Sequence, residues 1–133
     1  MGLETINKMT GKTVIILAAI FGALSVGIGA FGAHGLEATL SANNRADTFE
    51  TAVKYQFYHT IALLILGVLM LNYDQSQFRI AAVCFILGIV IFSGSLYTLS
   101  LTNITWLGAI TPIGGLAFIA GWGFLAFGAY KAL

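Results

Sequence analysis

The chain has 133 residues, of which 59% are hydrophobic and only 8% are charged. About a quarter of the residues of an ordinary soluble domain are charged, so the composition excludes that class and predicts an integral membrane protein. The formal net charge of +1 supplies no basic surface for nucleic acid. Cys84 is the only cysteine, which excludes an internal disulfide. The length predicts a single domain over residues 1–133.

Four apolar segments are long enough to cross a bilayer, which takes about 20 residues per helix. We predict spans at about 14–34, 55–73, 79–101 and 106–130. A secretory signal peptide would also begin with basic and then apolar residues. The first segment is longer than the apolar part of such a peptide, and further spans follow it. The predicted fold is therefore all-α: a polytopic membrane protein with a four-transmembrane-helix bundle.

Small residues recur at three- and four-residue spacing in the first span. Inside lipid, such residues let helices approach closely, because packing rather than hydrophobicity drives their association. One face of this span is therefore predicted to pack against a neighbouring helix: Ala18, Gly22, Ser25, Gly29 and Ala33. The Ser93-Gly94-Ser95 sequence is a second candidate for close packing, in the third span.

Pro112 falls inside the predicted fourth span. It cannot donate a hydrogen bond to the Gly108 carbonyl, so it predicts a kink in that helix.

The segment between the first two spans is too polar to cross the membrane. From Ala46 onwards its apolar residues follow a helical period, and Glu50 precedes Lys54 with the favourable spacing of four residues. We predict a short amphipathic helix between spans 1 and 2 that lies at the membrane interface and runs on into the second span.

The basic residues predict the orientation, because lysine and arginine are enriched in cytoplasmic loops. Arg45 and Lys54 fall on one side of the predicted bundle. The larger group falls on the other side and predicts that both termini are cytoplasmic: Lys8, Lys12, Arg79 and Lys131.

Both histidines lie near this connection. His34 ends the first predicted span and His59 opens the second, so we expect the two imidazoles to approach each other at the outer rim. Ionisable groups at membrane depth are costly and often functional. The candidate cluster for ligand binding or structural polar contacts is His34, Glu50, Tyr55, Gln56 and His59.

Two readings of this cluster remain open. The histidines can cap helix ends or hydrogen-bond to Gln56, Glu50 or a backbone carbonyl, which is the favoured reading. Alternatively, two imidazoles on facing helices can ligate haem or a metal, or the cluster can bind a lipid headgroup or small polar ligand. Because the sequence has no second histidine pair and no cysteine-rich motif, we predict no bound cofactor and no metal.

Carboxylates outside the spans offer little catalytic chemistry. Glu37, Asp47 and Glu50 lie in the polar connection beside Arg45 and Lys54, which is typical of a solvated or ion-paired surface. The predicted spans contain no carboxylate, which argues against a proton- or ion-coupled carrier. No catalytic motif is present in the context that it needs, so we predict no enzyme activity and no catalytic residue.

Two motifs carry a family resemblance: GAFGAHGL at residues 29–36 and FETAVKYQFYH at residues 49–59, followed by a glycine-rich last span. With these, the chain resembles domain of unknown function family 423, the transmembrane protein 256-like small membrane proteins. The resemblance implies a four-helix membrane bundle and a bacterial cytoplasmic membrane. It implies no activity, and it marks the five cluster residues as motif positions without roles.

The leading functional hypothesis is a non-enzymatic integral membrane protein that serves as a structural, lipid-interacting or accessory subunit. Its expected partners are membrane lipids and either further copies of itself or another membrane protein. Two alternatives are a ligand-, haem- or metal-binding protein that uses His34 and His59, and an oligomeric small channel or carrier.

Overall fold

The computed structural model describes residues 2–133, and these residues form helices and no strand. Four helices are long and apolar enough to cross a membrane: Gly11–Ala33, Ala46–Asn72, Ser76–Thr102 and Thr105–Ala132. We call them the first to fourth spans. The predicted all-α, four-span fold is confirmed.

Two short helices and two irregular segments complete the chain. The N-terminal helix covers Leu3–Asn7 and the connecting helix covers Glu37–Ala42. The third span consists of α-helix at Ser76–Gly88, π-helix at Ile89–Ser93 and α-helix at Gly94–Thr102. The fourth span consists of a 3₁₀ segment at Thr105–Ala109 and an α-helix at Thr111–Ala132.

The second span begins at Ala46, well before the apolar residues. Its 27 residues correspond to about 40 Å of α-helix, against a hydrocarbon core of about 30 Å. The predicted amphipathic segment therefore runs on into this span as one continuous helix. The separate connecting helix precedes it, and Asn43 and Arg45 tie the connection to the third span by donating to the Ser100 carbonyl and to Asn103 Oδ1, both at 3.0 Å.

Pro112 does not lie in the interior of the last α-helix. It occupies the first turn of Thr111–Ala132, directly after the 3₁₀ segment. Proline is well tolerated there, because the first backbone N–H groups of a helix have no partner within it. The predicted mid-helix kink was wrong, since the change of helix type already places Pro112 at a helix start.

The first and second spans form an antiparallel hairpin with glycines at the contact. A Cβ on Gly22 would lie 3.6 Å from the Thr60 methyl, and one on Gly29 would lie 3.3 Å from the Val53 side chain. The predicted packing face of the first span is confirmed at four positions: Ala18 and Ser25 are buried, and Gly22 and Gly29 face the second span. The fifth position differs, because Gly32 is buried against Phe49 while Ala33 is exposed.

The third and fourth spans form a second antiparallel hairpin. Its contacts pair a glycine of one helix with a phenylalanine ring of the other, so that each ring occupies the space where a glycine lacks a side chain. The pairs are Gly88 with Phe118, Gly121 with Phe85 and Gly128 with Phe78. The three phenylalanines are buried, and together with Val14, Leu63 and Leu66 they form the core between the hairpins.

At Gly114 the fourth span approaches the backbone of the third span rather than a side chain. A Cβ there would overlap the backbone nitrogen of Phe92, which lies in the π-helical segment. The next residue, Ser93, donates to the Ala52 carbonyl of the second span at 2.7 Å. The π-helical segment thus contacts both the second and the fourth spans.

We predict that Gly114→Ala destabilises the bundle by about 1–3 kcal/mol, the usual cost of overpacking a tight contact. Gly123→Ala is the matched control on the same helix, because a Cβ there meets no atom within 4 Å. Unfolding titrations in mixed detergent micelles measure the difference. Equal stability of the two variants would contradict the close backbone contact.

Candidate functional site

Gln56 connects three spans through its side-chain amide. It is 3% exposed, and its Nε2 donates to the Phe21 carbonyl of the first span at 3.1 Å. Its Oε1 accepts a hydrogen bond from the Tyr97 hydroxyl of the third span at 2.6 Å. A buried amide without partners is costly in a low-dielectric interior, so these two bonds fix the position of Gln56 between the helices.

His59 lies three residues further along the second span and connects it to the fourth. Trp122 Nε1 lies 3.1 Å from His59 Nε2, and His59 Nδ1 lies 2.7 Å from the Tyr55 carbonyl. Because an indole nitrogen only donates, Nε2 must accept, and the ring proton must therefore sit on Nδ1. The imidazole is held in one neutral tautomer, with both nitrogens engaged.

Aromatic rings enclose the imidazole on its faces and edge. The ring of His59 stacks on Phe118 with centroids 3.5 Å apart and planes 10° apart, and the Trp122 ring meets it at an angle of 63°. The neighbouring ring of Tyr55 stacks on Phe92, with ring centroids 4.5 Å apart. His59 is 6% exposed, whereas Tyr55 is 39% and Trp122 is 47% exposed, so the rings of Tyr55 and Trp122 separate the imidazole from the lipid.

The predicted cluster of five residues separates into two groups. Tyr55, Gln56 and His59 come together inside the bundle, as described above. His34 is exposed at the C-terminal end of the first span. Glu50 is exposed and pairs with Lys54 at 3.0 Å.

The prediction that the two imidazoles lie side by side was wrong. Gly22 faces Thr60 across the first hairpin, so His59 lies level with the middle of the first span. His34 follows the last residue of that span, about 16 Å further along the axis at 1.5 Å per residue. A haem or metal held jointly by His34 and His59 loses its geometric basis. Among residues 2–133, no group of three or more His, Cys, Asp and Glu side chains is placed to hold a metal ion.

Two further groups of residues make close contacts inside the bundle, one on the second span and one on the third. Ala52, Gln56, His59 and Leu63 recur at three- and four-residue spacing along the second span, and all four are buried. In the Ser93-Gly94-Ser95 sequence the two serines make the close contacts: Ser93 with the Ala52 carbonyl, and Ser95 with Thr111 Oγ1 at 2.6 Å. A Cβ on Gly94 meets nothing within 4 Å, so the glycine itself is not a packing position.

The carboxylates Glu37 and Glu50 lie beside a cavity of about 410 Å³ at the end of the bundle that carries His34. Its walls come from the first span, the connecting helix and the second span, and they include Gly29, Gly32 and Phe49. Both carboxylates are exposed, which agrees with the expectation of a solvated surface.

Sequence reasoning missed the partners of this cluster. Tyr97 and Trp122 were read only as residues of the third and fourth spans. Their polar atoms gave the available signal, since tyrosine hydroxyl and tryptophan N–H groups within a span usually find a hydrogen-bond partner. Their pairing with Gln56 and His59 depends on how three helices are rotated about their axes relative to one another. The spacing of residues in the sequence does not contain that information.

A family model described as "Protein of unknown function (DUF423)" matches residues 28–115, which include both quoted motifs. The matched range also includes Gln56, His59 and Tyr97 but ends before Trp122. The chain belongs to the DUF423 family. A UPF0382 membrane protein of Staphylococcus haemolyticus is 51% identical over 120 residues, which cover 90% of this chain and 97% of that protein. A UPF0382 membrane protein of Staphylococcus aureus is 46% identical, with coverage of 90% and 97%.

A more distant relative, the UPF0382 inner membrane protein YgdD of Escherichia coli K12, is 41% identical over 123 residues, which cover 92% of this chain and 93% of that protein. No solved structure matches the chain significantly. This DUF423 member is therefore a membrane protein of unknown activity, and its role has to be argued from its own geometry.

We predict that Trp122→Phe destabilises the bundle by about 0.5–2 kcal/mol, because it removes the N–H donor to His59 while keeping the aromatic packing. A double-mutant cycle with His59→Phe isolates the hydrogen bond. Mixed-micelle unfolding gives the energies, and the ¹⁵N shift of His59 Nε2 reports the lost donor.

Trp106→Phe is the control for this cycle, because Trp106 is 65% exposed at the start of the fourth span. It should show no coupling to His59→Phe. Strictly additive effects of Trp122→Phe and His59→Phe would contradict the proposed bond.

Proposed function

We propose that this protein is a non-enzymatic structural subunit of the bacterial cytoplasmic membrane, which offers the outer face of its first span to a partner helix. A second copy of the chain is the first candidate partner. The observation that carries the proposal is a second stripe of small residues on the first span, which is exposed outside the bundle.

This outer stripe consists of Ala19, Ala23, Gly27 and Ala30, and all four are exposed. Ala19, Ala23 and Ala30 each follow a residue of the packed face by one position, which is a rotation of about 100° around the helix, and Gly27 lies between Ser25 and Gly29. A Cβ on Gly27 meets no atom within 4 Å. Small residues at this spacing permit close helix association in lipid. The outer stripe can therefore pack against a neighbouring helix, as the packing face of Ala18, Gly22, Ser25 and Gly29 packs against the second span.

The buried polar residues support a structural role rather than a catalytic one. Both imidazole nitrogens of His59 are engaged by Tyr55 and Trp122. Both ends of the Gln56 amide are engaged by Phe21 and Tyr97. A general acid or base needs a position from which it can reach a substrate proton, and these side chains are instead committed to neighbouring helices.

The charge distribution supports an orientation with both termini in the cytoplasm. Gly11 packs at Leu71, and Gly128 packs at Phe78, so both termini of the bundle share one end. Four basic residues lie at that end, against Arg45 and Lys54 at the other. Positive residues are enriched on the cytoplasmic side. The E. coli relative is named an inner membrane protein, which supports the same membrane.

We predict that Gly27→Ile weakens self-association in the membrane at least fivefold, because the branched side chain holds the partner backbone away. Gly123→Ile is the matched control, since Gly123 is exposed on the fourth span and a Cβ there also meets no atom within 4 Å. Energy transfer between labelled copies at varied protein-to-lipid ratios measures the dissociation constant.

Retained association in Gly27→Ile, or an equal loss in Gly123→Ile, would contradict docking through the first span. A wild-type chain that stays monomeric at every ratio would exclude self-association and direct the search to a different membrane protein.

For the orientation, we predict that a reporter active only in the cytoplasm is active when fused after Leu133 and silent when inserted in the connection near Asn43. The same insertion sites with a reporter active only outside the cytoplasm should give the opposite pattern. Activity of the second reporter at Leu133 would reverse the proposed sidedness.

A further inference from the structure

Two neighbouring cavities lie at the end of the bundle that carries both termini. The polar cavity, of about 390 Å³, is walled by the start of the first span, the end of the second and the start of the third; Thr10, Tyr73, Gln75 and Arg79 are among its lining residues. The apolar cavity, of about 320 Å³, lies between the N-terminal helix and the first and third spans. Met9 lines both, so the two cavities are adjacent.

The apolar cavity is suited to a hydrocarbon chain. The first span contributes Leu17, the third contributes Val83 and Ile86, and the N-terminal helix covers them with Ile6. Its wall is almost entirely apolar, and its volume lies at the lower end of the range for small-molecule sites. It would therefore accept part of an acyl chain.

The polar cavity carries a guanidinium with unused donor capacity. Arg79 pairs with Asp74 through Nη1, while its Nε is buried and has no hydrogen-bond partner among residues 2–133. A buried, unpartnered N–H of a charged group is costly. Arginine presents several donors in one plane, which fits a phosphate with two hydrogen bonds better than it fits a single carboxylate oxygen.

The charges at this end favour an anion. Met9 and Gly11 line the polar cavity. Each has a lysine next to it in the sequence, Lys8 before Met9 and Lys12 after Gly11. With Arg79 and Lys131 they make four basic residues, against Glu4 and Asp74. The first span also begins here, and its macrodipole adds partial positive charge at Thr10 and Gly11. Basic residues next to membrane helices attract anionic lipid headgroups.

We infer that the two cavities form one site for an anionic phospholipid, with the phosphate at Arg79 in the polar cavity and part of one acyl chain in the apolar cavity beneath the N-terminal helix. The bound phosphate accepts hydrogen bonds from the guanidinium of Arg79, and the acyl chain seats the N-terminal helix on the third span. The site is independent of the outer stripe on the first span, so either proposal can fail without the other.

Native mass spectrometry of the full chain in detergent tests the site, with phosphatidylglycerol and phosphatidylcholine of identical acyl chains as probes. We expect the wild type to retain phosphatidylglycerol preferentially. Arg79→Gln should weaken that retention about tenfold, which corresponds to the loss of one charge-assisted contact. Asp74→Asn should strengthen retention, because it frees Arg79 from its competing carboxylate.

Arg45→Gln is the matched control, because Arg45 lies at the opposite end of the bundle, where it donates to Asn103. It should leave lipid retention unchanged. Equal retention of the two lipids, equal effects of Arg79→Gln and Arg45→Gln, or unchanged or weaker retention in Asp74→Asn would each overturn the proposal.

Inorganic phosphate and glycerol phosphate distinguish a lipid site from a site for free phosphate. Neither should displace the lipid at concentrations comparable with it, because both lack the acyl chain. Displacement by either compound at such concentrations, with the same dependence on Arg79, would assign the site to free phosphate and overturn the lipid assignment. The opposite effects expected of Arg79→Gln and Asp74→Asn keep the test decisive even if one variant loses stability.

Discussion

The close approach of helix backbones at glycine is the constraint on which this bundle depends. Lipid tails are as apolar as leucine, so helices in a membrane gain little from hydrophobicity and must gain from packing. Gly88, Gly121 and Gly128 each receive a phenylalanine ring from the facing helix, and Gly114 receives the backbone of Phe92. These contacts set the register of the second hairpin.

The register brings a few polar side chains within hydrogen-bond distance in the middle of the bundle. Gln56 and His59 lie about one turn apart on the second span and bond to the first, third and fourth spans between them. Average hydrogen bonds between membrane helices stabilise by only about 0.6 kcal/mol. The network therefore contributes less to total stability than to uniqueness, because any rotation of one span leaves buried polar groups without partners.

The sequence alone predicted the number of spans, their approximate limits and the packing face of the first span. Hydropathy and helical period report these features directly, because they depend on which residues face lipid or protein within one helix. The relative positions of residues on different helices could not be predicted as well from the sequence. Ala46–Lys54 was correctly expected to join the second span, yet His59 was still treated as the start of that helix rather than its middle. The pairing with His34 failed for that reason.

The two stripes of small residues on the first span also show that contacts between helices are hard to predict from the sequence of one helix. The sequence predicted the internal contact at Ala18, Gly22, Ser25 and Gly29, but it did not indicate the second set, whose residues are similar in size and spacing: Ala19, Ala23, Gly27 and Ala30. The choice is made by the second span, whose Val53 and Thr60 fit against the first set. Once that contact forms, the other stripe remains as a lipid-exposed surface with little side-chain bulk. A helix with two such faces can join its own bundle and still associate with a neighbour, which a uniformly leucine-rich helix would do with less specificity.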